Sequence, residues 1–379
     1  MRVAVVTESF LPQINGVTNS VLRVLETLRE ANHEALVIAP DGEGVPKEYA
    51  GHRVKTIPSL PIQSLFPVGM PVGLPTRRLE HLIDGFAPDV FHLASPLILG
   101  SYTAKFAKKL NVPTLSVYQT DLAGFARHYG FDLAHSSIRK IVGRIHSQTD
   151  RTLAPSRSAC VELTSQGVAE VYLWQRGVNI EQFNPETRNE KIRKYWDPSG
   201  KKLIIGFVGR LAKEKRITDL KYLDRDPNIQ LIITGDGPAG IRLEKELPHA
   251  IFTGHKSGKD LAEIYSSIDL FIHPGPNETF CQAVQEALAS GTPCIVPLTG
   301  GPADLVRHGQ TGYVINTHRP DELEAAVLHF KLRNDRKSMS ALARQSVLGR
   351  TWPVINNQLL NHYKELISKK EFVLDGSAA

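Results

Sequence analysis

The stretch D-L-F-I-H-P-G-P-N-E-T-F-C-Q-A-V-Q-E-A-L-A-S-G-T-P-C-I-V (269–296) contains an apolar run, a loop with glycine and proline, a helical segment and a second apolar run. The helical segment has the spacing of a buried helix, with apolar residues at Phe280, Val284, Ala287 and Leu288. Two apolar runs joined by a helix predict a β-α-β unit. Glu278 falls where the first run ends and the helix begins, and Glu286 lies further along it. We ask what these two carboxylates do on an otherwise apolar helix.

The second half of the chain contains five such apolar runs in succession. They are L-I-I-G-F-V-G-R, I-Q-L-I-I-T-G-D-G-P, I-F-T-G-H, D-L-F-I-H-P-G and P-C-I-V-P-L-T-G-G. Each runs into glycine at its C-terminal end, which is the end at which a doubly wound sheet binds ligands. Glycine there lets backbone N–H groups approach a phosphate closely. The pattern therefore predicts a phosphate-binding edge.

The first half alternates strands and helices in the same way, with V-A-V-V-T-E-S, A-L-V-I-A, D-V-F-H-L, T-L-S-V-Y and R-T-L-A-P as strands. At 379 residues the chain is longer than one hydrophobic core normally holds. We predict an α/β protein of two Rossmann-like, doubly wound domains facing a cleft, over 1–172 and 173–353. A last helix, 354–370, is expected to pack back on the first domain.

Composition narrows the function classes. The formal net charge is +6, but no compact Lys/Arg tract with interleaved aromatics appears, so a nucleic-acid partner ranks last. No apolar run approaches the roughly 20 residues of a membrane span, and the N-terminus does not resemble a signal peptide. The three cysteines have neither a disulfide pattern nor metal-ligand spacing. A cytoplasmic protein is expected.

Cations and carboxylates cluster at the predicted strand ends of the second half. Arg210 and Lys215, in G-R-L-A-K-E-K (209–215), are expected to begin a helix, where cations are disfavoured unless an anion binds. Surface charge is the alternative interpretation. Amides from Thr279 to Gln282 would form an anion site at the mouth of the next helix. Glu278 would then bind sugar hydroxyls. Glu286 lies about 12 Å further along if the segment is helical, and it would bind a ribose diol. Taken separately, Glu278 could be a helix N-cap acid and Glu286 a solvated side chain.

Other motifs carry less information. Asn15-Gly16, in the first strand-to-helix turn, suits a backbone contact with a phosphate but is not the G-x-G-x-x-G of nicotinamide enzymes. Asp224-Arg225-Asp226 resembles the D-x-D of metal-dependent transferases, yet it precedes a strand and is predicted to be a turn. No metal and no cofactor other than a nucleotide sugar is required, because Arg210 and Lys215 supply the positive charge.

The E-x7-E motif of Glu278 and Glu286, with G-R-L-A-K-E-K upstream and T-G-D-G-P between, resembles the retaining glycosyltransferases of family four, with the GT-B fold. R-G-V-N-I-E-Q-F-N-P (176–185) matches the interdomain region of that family, so the resemblance covers nearly the whole chain. P-Q-I-N-G-V-T-N-S-V (12–21) is most similar to a glycolipid subgroup. That subgroup contains actinobacterial GDP-mannose-dependent α-mannosyltransferases and sulfoquinovosyltransferases. V-Y-Q-T-D-L-A-G-F (117–125) favours the mannosyltransferases.

The resemblance implies roles for matching positions. Arg210 and Lys215 would neutralise the departing diphosphate, Glu278 would hold the donor sugar, and Glu286 would hold the ribose. The remaining implied donor contacts are Asn15, Gly16, Gly209, Thr279, Phe280 and Cys281, with His255 and Lys256 near the base. The resemblance places Gln119 close to the reacting sugar, where many members have histidine. Glutamine cannot shuttle a proton, but it could hydrogen-bond the sugar. Asp121 could orient or deprotonate the acceptor hydroxyl, or simply belong to a loop.

These expectations combine into one function. The chain would transfer mannose from GDP-mannose to a lipid-linked or glycolipid acceptor with retention of the α configuration. A UDP-sugar-dependent sulfoquinovosyl- or glucosyltransferase is the alternative, and a nucleotide-sugar epimerase of the same fold is a more distant one. The segment 59–82, with four prolines, Arg77 and Arg78, is either a buried loop or a flap that contacts an anionic membrane, placing the protein on the inner face of the plasma membrane.

Overall fold

The structure is a computed structural model that describes residues 1–61, 71–120 and 135–376. The described chain forms two compact units. The first unit contains 1–61, 71–120, 135–175 and 353–376, and the second contains 176–352. The chain passes from the first unit to the second between Gln175 and Arg176, three residues after the boundary predicted at 172/173.

The first unit is built on a sheet whose described strands follow the order β10-β9-β8-β7-β1-β2-β4-β3. All neighbours are parallel except β3 and β4, and a separate antiparallel pair is formed by β5 and β6. The strands are β1 (Arg2–Thr7), β2 (Glu34–Pro40), β3 (Glu48–Tyr49), β4 (His52–Ile57), β5 (Ser59–Pro61), β6 (Pro71–Gly73), β7 (Val90–Ala94), β8 (Thr114–Val117), β9 (Arg151–Ala154) and β10 (Val171–Leu173). Strands β3, β4 and β10 were not predicted, because β3 and β10 are only two and three residues long and β4 alternates apolar and polar residues.

Helices cover both faces of this sheet. They are α1 (Gly16–Glu30), α2 (Arg77–Phe86), α3 (Ile98–Lys109), α4 (His135–His146), α5 (Arg157–Ser165) and a C-terminal helix (Trp352–Gly376). Successive side chains of a strand point to opposite faces. Accordingly, Val3 and Val5 of β1 pack in the cluster that contains α1 and the C-terminal helix, whereas Ala4 and Val6 pack towards α2 and α3.

The C-terminal helix is an integral part of the first unit. Tyr363 is fully buried, and its hydroxyl lies 2.5 Å from Nδ1 of His92 in β7. Burial lowers the pKa of His92 to about 3, so its ring is neutral at physiological pH. Trp174 Nε1 donates to the carbonyl of Ile355 at 2.9 Å, and Asn356 Nδ2 donates to the carbonyl of Arg23 in α1 at 3.0 Å. Buried polar contacts thus fix the C-terminal helix to β7, to α1 and to Trp174.

The second unit is a smaller sheet in which six described strands are all parallel, in the order β13-β12-β11-β14-β15-β16. These are β11 (Leu203–Val208), β12 (Ile229–Thr234), β13 (Ile251–Gly254), β14 (Leu270–Ile272), β15 (Cys294–Pro297) and β16 (Gly312–Ile315). Its helices are α6 (Glu190–Trp196), α7 (Lys221–Asp224), α8 (Gly240–Glu246), α9 (Gly258–Ser267), α10 (Gln282–Ala289), α11 (Pro320–Leu332) and α12 (Arg336–Gln345). The five predicted strands are present, and the short β16 was missed.

The strand order of the second unit fixes where a ligand can bind. The chain leaves β11 for β12 and β13 on one side, then crosses to β14, β15 and β16 on the other. The loops that follow β11 and β14 therefore separate at a topological switch point, which opens a crevice at the carboxyl ends of these strands. These two loops carry 209–215 and 273–281, the segments that hold the predicted cations and Glu278.

Tyr363→Ala is expected to destabilise the first unit selectively, by about 3–5 kcal/mol, because it removes a fully buried aromatic ring and leaves His92 without its partner. Hydrogen exchange read by mass spectrometry should show faster exchange in β1 and β7, with β11 of the second unit as internal reference. Val354→Ala, at a position that is 46% exposed on the same helix, is the matched control. Unchanged exchange in β1 and β7 would show that the helix does not stabilise this core.

Candidate active site

Glycines allow the loops at the switch point to interlock. A Cβ atom at Gly235 would lie 2.0 Å from the carbonyl oxygen of Gly209, and one at Gly237 would lie 2.4 Å from that of Leu211. Both glycines have positive φ angles, of 130° and 158°. The Leu211 amide also donates to the carbonyl of Asp236 at 2.9 Å. The loop after β12 therefore supports the loop after β11 through backbone contacts that a side chain would prevent.

The loop after β11 positions the two predicted cations. The expected helix at Arg210 and Lys215 is wrong: a loop leads to a single 3₁₀ turn over Lys213–Lys215. The turn ends because Arg216 adopts a left-handed conformation, with φ 53°. Arg210 remains exposed, whereas Lys215 is directed inwards and its side chain is only 19% exposed. The two cations are thus presented by a tight loop, without a helix dipole to oppose them.

Lys215 and Glu278 form an ion pair across the switch point, through Nζ and Oε1. The Glu278 side chain is 22% exposed. Burial by itself would raise the pKa of Glu278, but the charge and hydrogen bond of Lys215, together with the charge of Arg176, hold it below its usual value. Burial likewise opposes the charge of Lys215, yet the carboxylate of Glu278 raises the pKa of Lys215 overall. Both groups are therefore charged at physiological pH.

The loop before α10 contains Glu278 and the predicted anion-binding amides. Helix α10 begins at Gln282, so the expectation that it starts beside Glu278 is wrong. Cys281, with φ 90°, directs the chain into the helix. The separation of about 12 Å between the glutamates therefore does not apply, since only Gln282 to Glu286, about 6 Å of helix rise, is helical. The amides of Thr279 and Phe280 lie in the loop itself.

Gly300 and Gly301, after β15, support this loop from the other side. The Gly301 amide donates to the carbonyl of Glu278 at 2.7 Å. A Cβ atom at Gly301 would lie 2.4 Å from Cα of Phe280, and one at Gly300 would lie 2.4 Å from the carbonyl oxygen of Pro276. The conformation of 276–280 thus depends on two adjacent glycines that the sequence pattern had marked only as a strand end.

Glu286 occupies the adjacent part of α10 in very different surroundings. The Tyr265 hydroxyl donates to its Oε2 at 3.1 Å, and burial raises the pKa of Glu286 to about 7. The helix itself is fixed to the start of the unit, because Gln285 Nε2 donates to the carbonyl of Arg176 at 2.8 Å. Gln282 Nε2 donates to the carbonyl of Gly177 at 3.0 Å.

The structure adds His273 and Arg176, which the sequence analysis did not assign to the site. His273 is buried, stacks on Phe207 with ring centroids 6.0 Å apart, and places Nε2 3.5 Å from Oε1 of Glu278. Burial lowers the pKa of His273 to about 4, so it faces Glu278 as a neutral ring. Arg176 is also buried, and burial lowers its pKa to about 10 while Glu278 opposes that shift. His273 follows β14 directly, which is the one sequence signal that could have identified it.

His273, Glu278 and Cys281 place one potential metal-ligand atom each within 4.8 Å of one another. Cysteine spacing along the chain could not have indicated this cluster. Lys215 already neutralises Glu278, and burial raises the pKa of the Cys281 thiol, so both features oppose cation binding.

The other predicted donor contacts lie on different elements. His255 is exposed after β13, and its amide donates to Oδ2 of Asp236 at 3.2 Å, with Lys256 next to it. In the first unit, Asn15 caps α1, since its Oδ1 accepts from the amides of Val17 and Thr18 at 2.9 and 3.0 Å. Gly16 is the first residue of that helix.

Gln119 and Asp121 are the remaining predicted site residues, and Asp224 belongs to the segment that resembles a metal-binding D-x-D. Gln119 is buried after β8, whereas Asp121 lies outside the described residues. Asp224 ends α7, and its Oδ2 accepts from the amide of His249 at 3.2 Å, which is a structural role away from the carboxyl ends of the strands.

A doubly wound unit with charged loops at its switch point defines a nucleotide-binding type of α/β protein. Residues 14–182 match the model of Glycosyltransferase Family 4, and 188–346 match that of Glycosyl transferases group 1. A GDP-mannose-dependent alpha-mannosyltransferase of Mycobacterium tuberculosis is 46% identical over 98% of both chains. The chain therefore belongs to the family 4 glycosyltransferases.

Further comparisons define the fold and a second group of relatives. A sulfoquinovosyl transferase of Arabidopsis thaliana is 30% identical over 95% of this chain and 72% of its own length. The solved sucrose-phosphate synthase of Thermosynechococcus elongatus superposes with a TM-score of 0.82 at 18% identity, covering 97% of this chain and 99% of that one. The predicted GT-B fold is thereby confirmed. None of the helices within the described ranges is long and apolar enough to span a membrane.

Gly301→Ala is expected to destabilise the second unit by about 1–3 kcal/mol, because the new methyl group would overlap the backbone at Phe280. Gly349→Ala is the matched control, since a Cβ atom there meets nothing within 4 Å. Urea unfolding of both variants measures the difference. Equal stabilities would mean that 276–280 can move away from Gly301 without cost.

Proposed function

We propose that this glycosyltransferase transfers mannose from GDP-mannose to a hydroxyl of a lipid-linked or glycolipid acceptor, with retention of the α configuration. The observation that carries the donor part is the Lys215–Glu278 pair at the switch point, with Glu286 on the adjoining helix. The choice of mannose is supported by the relative of 46% identity, against 30% for the sulfoquinovosyl transferase. A UDP-sugar donor is the second candidate because of that more distant relative.

In this proposal the diphosphate binds at the loops after β11 and β14. Exposed Arg210 and the ammonium of Lys215 would take its charge, with the amides of Thr279, Phe280 and Cys281 as further donors. Glu278 would accept hydrogen bonds from sugar hydroxyls, which suits a carboxylate kept ionised by neighbouring cations. Glu286 would accept from the ribose diol, while His255 and Lys256 would lie towards the base.

Catalysis would consist of positioning and charge stabilisation. Negative charge develops on the diphosphate as the glycosidic bond breaks, and preorganised cations stabilise it most when they need not rearrange. Lys215 meets this condition because the interlocked loops fix its position. The acceptor hydroxyl would attack on the face from which the diphosphate departs, which retains the configuration. No metal ion is required in this scheme.

The acceptor part of the proposal concerns the first unit. Arg77 and Arg78 are exposed in the first turn of α2, as expected of a surface that contacts anionic headgroups. Within the proposed flap (59–82), residues 62–70 lie outside the described residues. Peripheral binding to the inner face of the plasma membrane would bring the enzyme to a lipid acceptor. Gln119 and Asp121 are proposed to act near the reacting sugar and the acceptor.

Lys215→Ala is expected to lower kcat by about 10²–10³-fold, by analogy with the loss of one oxyanion-stabilising donor. Incorporation of radiolabelled mannose from GDP-mannose into extractable lipid measures this loss. Lys213→Ala removes an exposed cation from the same 3₁₀ turn and should keep near-normal activity. A thermal transition close to that of the native protein shows that the variant is folded. Normal turnover of Lys215→Ala would contradict the proposed role.

Titration calorimetry with GDP and UDP, each with Mg²⁺ or with EDTA, tests the donor. We expect GDP to bind more tightly in either buffer. Hydroxyls that donate to Glu286 favour its ionised form, so the affinity for GDP should rise up to tenfold per pH unit below the Glu286 pKa of about 7 and level off above it.

Glu286→Gln controls for titration of the diphosphate itself, because only the difference between the two proteins reports Glu286. A preference for UDP would move the assignment to the second candidate. A pH dependence that is identical in Glu286→Gln would contradict the ribose contact.

A further inference from the structure

Tyr265 is the largest polar side chain that is fully buried beside the proposed nucleotide site. It lies on α9 with no exposed surface. Its ring packs edge-on against Phe183, with centroids 5.6 Å apart, and at a tilt against Phe271, at 5.7 Å. The Thr292 hydroxyl donates to its backbone carbonyl at 2.7 Å. Ring and backbone are therefore both fixed, and with them the direction of the hydroxyl group.

That hydroxyl reaches Glu286 across the contact between α9 and α10. It donates to Oε2 at 3.1 Å. Burial and the neighbouring carboxylate raise the pKa of Tyr265, so the phenol remains a proton donor at all physiological pH values. Glu286 is only partly buried, in contrast to Tyr265. One carboxylate oxygen is thus held from inside the protein, and the side chain cannot rotate freely about its terminal bond.

A carboxylate offers about four lone-pair directions on two oxygens. A vicinal diol can use a carboxylate well only if the plane of that group is fixed, because two donors must then align at once. A tyrosine that holds Oε2 supplies this constraint. A buried phenol that only needed a partner could equally use a backbone carbonyl, and would have no effect on which nucleotide binds.

We propose that Tyr265 is a positioning residue that orients the carboxylate of Glu286 towards a ribose diol, and thereby makes the donor site selective for ribonucleotides over 2′-deoxyribonucleotides. This inference rests on the proposed function, in which Glu286 binds the ribose. It predicts that removal of one buried hydroxyl group changes discrimination between ligands rather than affinity alone.

The test is titration of GDP and 2′-deoxy-GDP into the native protein, Tyr265→Phe, Glu286→Gln and the double variant. The native protein should prefer GDP by about tenfold or more, the value of a hydrogen bond to a charged group. Tyr265→Phe, which retains the ring and its packing, should lose at least half of this preference on a logarithmic scale. Glu286→Gln should abolish it, and the double variant should resemble Glu286→Gln, since the two residues act as one unit.

Tyr313→Phe is the matched control. It removes another buried hydroxyl group of the second unit, one that lies 3.0 Å from Nδ1 of His329. It should leave the preference for GDP unchanged while reporting the stability lost with such a group. A thermal transition of Tyr265→Phe within the range of this control shows that the variant is folded.

The outcomes distinguish a failure of the positioning role of Tyr265 from a failure of the ribose contact of Glu286. If Tyr265→Phe weakens both nucleotides equally, or neither, while Glu286→Gln abolishes the preference, the positioning role is overturned and the ribose contact stands. If Glu286→Gln keeps the full preference for GDP, the ribose contact itself is overturned. A second measurement, the pH midpoint of GDP binding, should move upwards in Tyr265→Phe, because the lost hydrogen bond stabilised the ionised carboxylate.

Discussion

The pairing of Lys215 with Glu278 is the interaction on which the site depends. It joins the loop after β11 to the loop after β14, the two segments that the strand order separates at the switch point. A half-buried ion pair gains little stability by itself, since desolvation offsets most of its attraction. Its value here is geometric: it fixes the ammonium of Lys215 beside the carboxylate at the crevice, with the charge of Arg176 nearby. In the proposed function, Lys215 is thereby held where the diphosphate would bind.

The position of that pair depends on glycines that pack the loops after β11, β12, β14 and β15 against one another. Gly235 fits against Gly209, Gly275 against the backbone at Glu214 and Lys215, and Gly301 against Phe280. In each case a side chain would overlap a neighbouring backbone. The glycines at the strand ends, which the sequence suggests only as phosphate-approach positions, therefore lock one loop against the next.

Sequence alone could predict the elements that have continuous apolar runs, because buried parallel strands need them. It placed Glu278 and Lys215 at strand ends for the same reason. It failed at α10 and at Arg210, where a left-handed residue or a 3₁₀ turn decides the local path, and helix periodicity does not report either. It also missed Arg176 as a neighbour of Glu278, since only the tertiary fold brings that residue to the loop.

Glu278 and Glu286 differ in the residues that surround them. Glu278 faces cations, so its charge persists well below neutral pH; Glu286 faces Tyr265, a neutral donor, and titrates near neutrality. In the proposed function, a carboxylate that balances Lys215 could not lose its charge without disturbing the diphosphate site. A carboxylate whose only task is to accept hydrogen bonds from neutral hydroxyls can titrate without that consequence. The fold thus gives the two glutamates, proposed to bind the sugar and the ribose, different electrostatic surroundings within one loop and the helix that follows it.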